Sequence, residues 1–198
     1  MNKLVLASGN AGKLRELSAL LEDFGYEVHP QSEFNVIEPE ETGTTFVENA
    51  IIKARNAAQH TGLPALADDS GIVVDALQGA PGVYSARFAG VNANDEANNA
   101  LLVEKLRSVP AELRTAHYQA VIVFMRHAGD PSPIICEGSW EGLIQLEAEG
   151  EGGFGYDPYF YLPTLGCTSA QLSAEEKNRL SHRGQALQQL RTRLSDGI

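Results

Sequence analysis

The hydrophobic positions of this chain change period several times, and each change predicts an element. Lys3–Ala7 is a short apolar run with strand character. From about Gly12 to Phe24 the period lengthens: Leu14, Leu17, Leu20 and Leu21 share one stripe of a helix, and Gly25 suits the position just beyond it. Residues 36–43 are acidic, contain Pro39 and read as a loop. Thr45 and Glu48 form a capping-box pattern for a second helix, Phe46 to about His60, closed by Gly62 and Pro64. Strand patterns return at 64–68 and 72–76. A third helix at 94–107 turns Ala97, Leu101, Leu102 and Leu106 inward. Two long β-rich runs, His117–Arg126 and Ile134–Leu146, read as an antiparallel pair around Gly129-Asp130-Pro131. A Gly-rich loop at 150–157 precedes a short strand, Tyr159–Leu162. Ser173 and Glu176 form another capping box, and a final helix covers roughly Leu180–Leu194.

Strands interleaved with helices, plus a long hairpin, predict an α/β fold with a mixed sheet. No linker separates independently folding parts, so residues 1–198 read as a single domain. The composition, 43% hydrophobic and 21% charged, is that of an ordinary globular protein. The net charge of −11 opposes nonspecific binding to a nucleic-acid polymer, which needs many phosphate-neutralising Lys and Arg side chains. It leaves room for a small anion held by a local cluster of cations. Cys136 and Cys167 lack metal-site spacing and suit a reducing compartment. Leu4–Ala7 is too short for a signal peptide, and no segment approaches the roughly 20 apolar residues of a membrane span. The expectation is a cytoplasmic enzyme with no membrane partner.

Four segments have the residue types for chemistry. Ser8, Gly9, Asn10, Ala11, Gly12 and Lys13 join the first strand to the first helix. Glycines there let backbone N–H groups approach an anion, and a helix N-terminus and Lys13 add positive charge. It is not a Walker A loop, which would need Gly at Ala7 and Ser or Thr at Leu14; an ordinary βα turn would look the same. Lys53 can join this set, although its stripe, Asn49, Lys53 and Asn56, read by itself is a solvated helix face.

The second segment is acidic: Glu38, Glu40 and Glu41 in the loop, with Asp68 and Asp69 at a strand end. Side chains alternate along a strand, so Asp68 and Asp69 point to opposite faces. Carboxylates without His or Cys favour Mg²⁺ over zinc, and Mg²⁺ needs only one or two of them plus substrate phosphates. Glu38 reads as solvated; Asp69, just before Ser70-Gly71, is the stronger candidate. In Gly152-Gly-Phe-Gly-Tyr-Asp-Pro158 the exposed backbone surrounds Phe154, which can stack a base while loop N–H groups meet its edge, whereas Tyr156 fits the core better. Lys177 and Ser181-His182-Arg183 form the last set, with Arg183 a permanently charged planar donor.

In this order, SGNAGK at 8–13, EETG at 40–43, FVENAIIKA at 46–54, LADDSGIVVDALQGAPGVYSARFAG at 66–90, GGFGYDP at 152–158 and EEKNRLSHRGQAL at 175–187 run almost end to end. The chain resembles the non-standard purine nucleoside-triphosphate pyrophosphatases, also called inosine triphosphate or XTP/dITP pyrophosphatases. One departure is Ser8, where many relatives carry Thr and the hydroxyl is kept. The resemblance implies a long, twisted mixed sheet flanked by helices, in two lobes with a central active-site cleft. It implies a Mg²⁺-dependent homodimer that hydrolyses dITP, ITP, XTP or dXTP to the monophosphate and pyrophosphate, cleansing the nucleotide pool. By motif, residues 8–13 hold phosphate with Lys53, Glu40 or Glu41 and Asp69 bind the metal, and Asp69 activates water. Ser70, Phe154, Gly155, Tyr156, Asp157, Lys177, His182 and Arg183 shape the nucleoside site. Two other readings stay open: a related enzyme acting on modified pyrimidine or methylated nucleotides, and a nucleotide-binding sensor without catalysis.

Overall fold

A computed structural model describes residues 2–8, 14, 17, 18 and 21–196. Its strands form one seven-stranded sheet in the order β2-β1-β3-β4-β5-β6-β7. They are β1 (Asn2–Leu6), β2 (Tyr26–Pro30), β3 (Ala65–Val74), β4 (Thr115–Met125), β5 (Ile134–Ile144), β6 (Phe160–Leu162) and β7 (Cys167–Thr168). β1 lies parallel to both β2 and β3, with Val5 opposite Ala65 and Leu6 opposite Leu66. β6 pairs antiparallel with β5 and β7. The sheet is therefore mixed, as the alternation of helices and strands predicted. Two elements went unpredicted. β2 and β7 are terminal strands of the sheet, and their five and two residues are too short for a periodicity to stand out.

The described residues form two compact units: Met1–Asp69 with Val121–Glu137 and Ala186–Ile198, and Ser70–Ala120 with Gly138–Gln185. In the first unit Leu4, Val5 and Leu6 are fully buried, the continuous apolar run expected of a strand covered on both faces. The helix α1 (Phe46–Thr61) begins at the expected capping box: Thr45 Oγ1 accepts the Glu48 N–H, and Glu48 Oε2 accepts the Thr45 N–H at 3.0 Å. It ends at Gly62, whose φ of 69° suits glycine. Its buried face is Ala50, Ala54, Ala57 and Ala58, packed on Val5, Ala65, Ala67, Val121 and Val123. Side chains this small bring the helix backbone close to the sheet, and enlarging one would cost about 1–3 kcal/mol in overpacking.

The largest difference from expectation lies in β3. Residues 64–68 and 72–76 were read as two strands broken at Asp68–Gly71; instead Ala65–Val74 is one continuous ten-residue strand. Asp68 and Asp69 therefore sit within the strand rather than at its end. Of the described helices, none is long and apolar enough to cross a membrane.

In the second unit α2 (Asp95–Leu106) starts at Asn94, whose side chain accepts the Ala97 N–H. Leu102 and Leu106 pack with Ile72, Val74, Tyr118, Trp140 and Phe160, and truncating either to Ala would cost about 2–5 kcal/mol. Ala97, expected inside, is exposed; Asn98 and Asn99 are buried instead. Glycine at 142 is required because a Cβ there would lie 2.6 Å from the Tyr161 carbonyl oxygen and 2.7 Å from the Phe160 ring. The second capping box heads a separate short helix, α3 (Ala174–Leu180), and not the final one. The chain breaks at Ser181, whose backbone is extended, and α4 (His182–Ser195) follows.

Candidate functional site

The first unit gathers its acidic residues around one lysine. Lys53 Nζ lies 2.6 Å from Asp69 Oδ1, 3.1 Å from Glu41 Oε1 and 3.2 Å from the Asp68 carbonyl oxygen. Three acceptors thus meet the three N–H bonds of one ammonium. Local structure explains how the loop delivers Glu41. Asn49, one turn before Lys53, is fully buried, and its Oδ1 accepts the Gly43 N–H at 2.8 Å. A Cβ at position 43 would stand 2.6 Å from both that oxygen and Glu48 Cβ, so only glycine lets the loop approach the helix this closely. Asn56 Nδ2 donates to the Ile37 carbonyl at 2.9 Å, a second tie on the same loop. The stripe of Asn49, Lys53 and Asn56 is therefore a docking face for residues 36–43, not a solvated one.

Of the two adjacent glutamates, Glu41 is half-buried beside Lys53 and Glu40 is exposed. Glu38, read as solvated, is exposed and accepts from Gln31 Nε2. Burial raises the Asp69 pKa above the ordinary aspartate value, against the pull of Lys53. Burial alone would lower Lys53, but Asp69 and then Glu41 outweigh it and hold the ammonium above the usual lysine value. Among the described residues no three His, Cys, Asp or Glu side chains form a metal-type group. The two carboxylates that share Lys53 are enough for Mg²⁺, which takes its remaining ligands from water and phosphate. Ser8 follows β1 and is half-buried; Gly9, Asn10, Ala11, Gly12 and Lys13 lie outside the described residues.

The second unit gathers the remaining candidates around Asp157, which is buried. Its Oδ2 accepts the Phe154 N–H at 2.8 Å and pairs with Lys177, while Oδ1 accepts from Ser169 Oγ at 2.8 Å and Tyr118 OH at 3.4 Å. A Cβ on Gly153, whose φ is +77°, would collide with that same carboxylate. The loop therefore folds tightly over Asp157 and leaves the Phe154 ring 63% exposed, with the Lys177 ammonium 5.1 Å from its centre. Tyr156 turns inward as expected, its hydroxyl donating to the Ser85 carbonyl at 2.7 Å. His182 is buried and stacks on Tyr118, the rings 4.8 Å apart and 10° from parallel. Arg183 Nη2 donates to Ser70 Oγ at 3.3 Å.

One expectation changes here. The sequence predicts that N–H groups of this loop meet a base edge, but those of Phe154 and Gly155 are already accepted by Asp157 and Asp95. Asp157 acts as the internal anchor of its loop. The sequence does not single out Asp95, Asn99, Tyr118 or Ser169, and it offers Asn49 only on the stripe with Lys53 and Asn56.

Lys53→Met leaves the clustered carboxylates without their cation. We expect it to cost about 3 kcal/mol at pH 7, with a deficit that shrinks toward pH 4 as the carboxylates protonate. Urea denaturation across that range checks this; a deficit independent of pH would mean that Lys53 contributes packing and not charge.

Known proteins resemble this chain over nearly its whole length. A relative from Photobacterium profundum named dITP/XTP pyrophosphatase is 60% identical over 196 residues, 99% of this chain and 100% of its own length. One of the same name from Thioalkalivibrio sulfidiphilus is 62% identical over 192 residues, 97% of this chain and 98% of its own. The solved structure of a HAM1 protein from Coxiella burnetii superposes with a TM-score of 0.96 at 52% identity, covering 100% of both chains. The Ham1 family model matches residues 4–193, and the chain belongs to the Ham1 family.

Proposed function

We propose that this chain is a Mg²⁺-dependent pyrophosphatase for non-standard purine nucleoside triphosphates, converting dITP, ITP, XTP or dXTP with water to the monophosphate and pyrophosphate. The observation that carries this reading is the Asp69–Lys53–Glu41 cluster, a cation-centred pair of carboxylates on the first unit. The substrate class rests on the dITP/XTP pyrophosphatase name of relatives that match nearly the whole chain. The enzyme acts as one domain and as a cytoplasmic homodimer that clears damaged nucleotides from the pool. Two free thiols suit that compartment, and the dimer follows from the family resemblance; a monomeric mass of 21.3 kDa by light scattering would contradict it.

Glu41 and Asp69 would hold the metal. When bound, Mg²⁺ offsets phosphate charge and lowers the pKa of water at the site. Residues 8–13 bind the polyphosphate, and Lys53, whose three N–H bonds already meet Asp69, Glu41 and the Asp68 carbonyl, adds positive charge beside it. An acidic protein must meet about four negative charges there, so these cations serve orientation and charge together. Asp69 Oδ1 is committed to Lys53, which makes Oδ2 the oxygen that accepts the proton of the attacking water. The water oxygen bonds to phosphorus, the P–O bond to the leaving phosphate group breaks, and the electron pair departs with that group. Burial raises the proton affinity of Asp69, which suits a base that must take a proton and give it up again.

On the second unit Phe154 supplies the stacking face, Lys177 is held over it by Asp157, and His182 is held by Tyr118. Arg183, braced on Ser70, can only donate hydrogen bonds. Hypoxanthine and xanthine present an acceptor at O6, whereas adenine presents an amino donor that an Arg183 N–H cannot pair with. Mismatches of this type are worth about 10⁴–10⁵ in discrimination.

Purified protein with ITP and Mg²⁺ should release pyrophosphate and inosine monophosphate, lose activity in EDTA and regain it with added Mg²⁺. Orthophosphate as the sole product, or equal kcat/KM for ATP and ITP, would contradict the reading. Asp69→Asn should fold and retain nucleotide binding while kcat falls by about 10²–10⁴; turnover near the parent value would remove Asp69 from the mechanism.

A further inference from the structure

One peptide segment of the second unit is gripped from both sides by a single helix. Asp95 Oδ2 accepts the Gly155 N–H at 2.7 Å, and Asn99 Nδ2 donates to the Gly155 carbonyl at 2.8 Å. The two side chains stand four residues apart on α2 and so share one face of it. Gly155 has a φ of +62°, and with Gly152 and Gly153 it makes a loop that has little stiffness of its own. Phe154 lies between two anchored peptide planes. Asp157 holds the plane before it through the Phe154 N–H, and Asp95 holds the plane after it through the Gly155 N–H. With both planes held, the two soft dihedrals of Phe154 are set, and so is the direction in which its exposed ring leaves the backbone.

We propose that Asp95 and Asn99 are positioning residues for the nucleobase: by clamping Gly155 they keep the Phe154 ring preformed as a stacking platform. This rests on the reading of Phe154 as the base-stacking residue. Neither Asp95 nor Asn99 needs to touch the substrate. A platform that had to be ordered at each binding event would charge that ordering to affinity, whereas a preformed one does not. The clamp acts on the base and not on the phosphate chemistry of the first unit, so its loss should appear in KM and spare kcat.

Asp95 is exposed, so replacing it does not empty the core. The test compares the parent with Asp95→Ala, Asp95→Asn and Asn99→Ala, by ITP kinetics with Mg²⁺ and by hydrogen exchange of the peptide covering residues 152–157. Asp95→Ala and Asn99→Ala should speed exchange in that peptide and raise KM about tenfold, the affinity equivalent of one lost hydrogen bond. Their kcat should stay within about twofold of the parent. Asp95→Asn keeps an acceptor oxygen and should restore most of the parental KM. Unchanged exchange in both Ala variants, or faster exchange with KM unmoved, overturns the proposal; so does a loss confined to kcat. A parent enzyme that does not turn over ITP overturns the proposed substrate instead, and exchange then still decides whether the clamp exists.

Discussion

The ammonium of Lys53 is the interaction on which the first unit's chemistry depends. It brings together Asp69 from the middle of a strand, Glu41 from a loop and the Asp68 backbone carbonyl. Without a cation at this point the clustered carboxylates would repel one another in a partly dry environment, and protonation would be the cheaper escape. Lysine keeps the carboxylates charged and close together. The buried face of α1 sets where that lysine stands: four alanines lower the helix onto the sheet, and Lys53 rises from the same helix toward β3.

The second unit repeats the same device with a different purpose. Lys177 and Asp157 form its buried pair, and the carboxylate gathers a loop N–H and two hydroxyls besides. In each unit a glycine makes the approach possible, Gly43 beside Asn49 and Gly153 against Asp157, because a Cβ at either would strike the polar groups that organise the loop. Such pairs contribute less to net stability than to geometry, since desolvating two charges offsets most of their attraction. Their effect is that Glu41 and Phe154, both on loops, are tied to groups on neighbouring elements.

How legible these features were in the sequence follows from the range of the forces involved. The capping boxes at Thr45 and Ser173 and the closing Gly62 could be read because their partners lie within four residues, while a third box, Thr168 with Gln171, heads only a three-residue turn and has no helical pattern after it. The mixed α/β class and the two long strands were readable for the same reason, as local periodicity. The continuity of β3 was not, because Asp68–Gly71 has turn-like composition and the contacts that meet it, from Lys53 and Arg183, come from distant parts of the chain. The burial of Asn49 and Asn99 was likewise hidden, since each is satisfied by a backbone group brought to it by tertiary structure. The structure assigns Asp157 and Asn49 to holding loops in place.

In the proposed site Glu41 and Asp69, not Glu40, would hold the divalent ion. The most direct measurement is a Mn²⁺ titration in the presence of pyrophosphate, followed by electron paramagnetic resonance, on the parent and on Glu41→Gln and Glu40→Gln. The account predicts that Glu41→Gln weakens Mn²⁺ binding at least about tenfold and that Glu40→Gln leaves it unchanged. Parental affinity in Glu41→Gln, or a loss confined to Glu40→Gln, would contradict it.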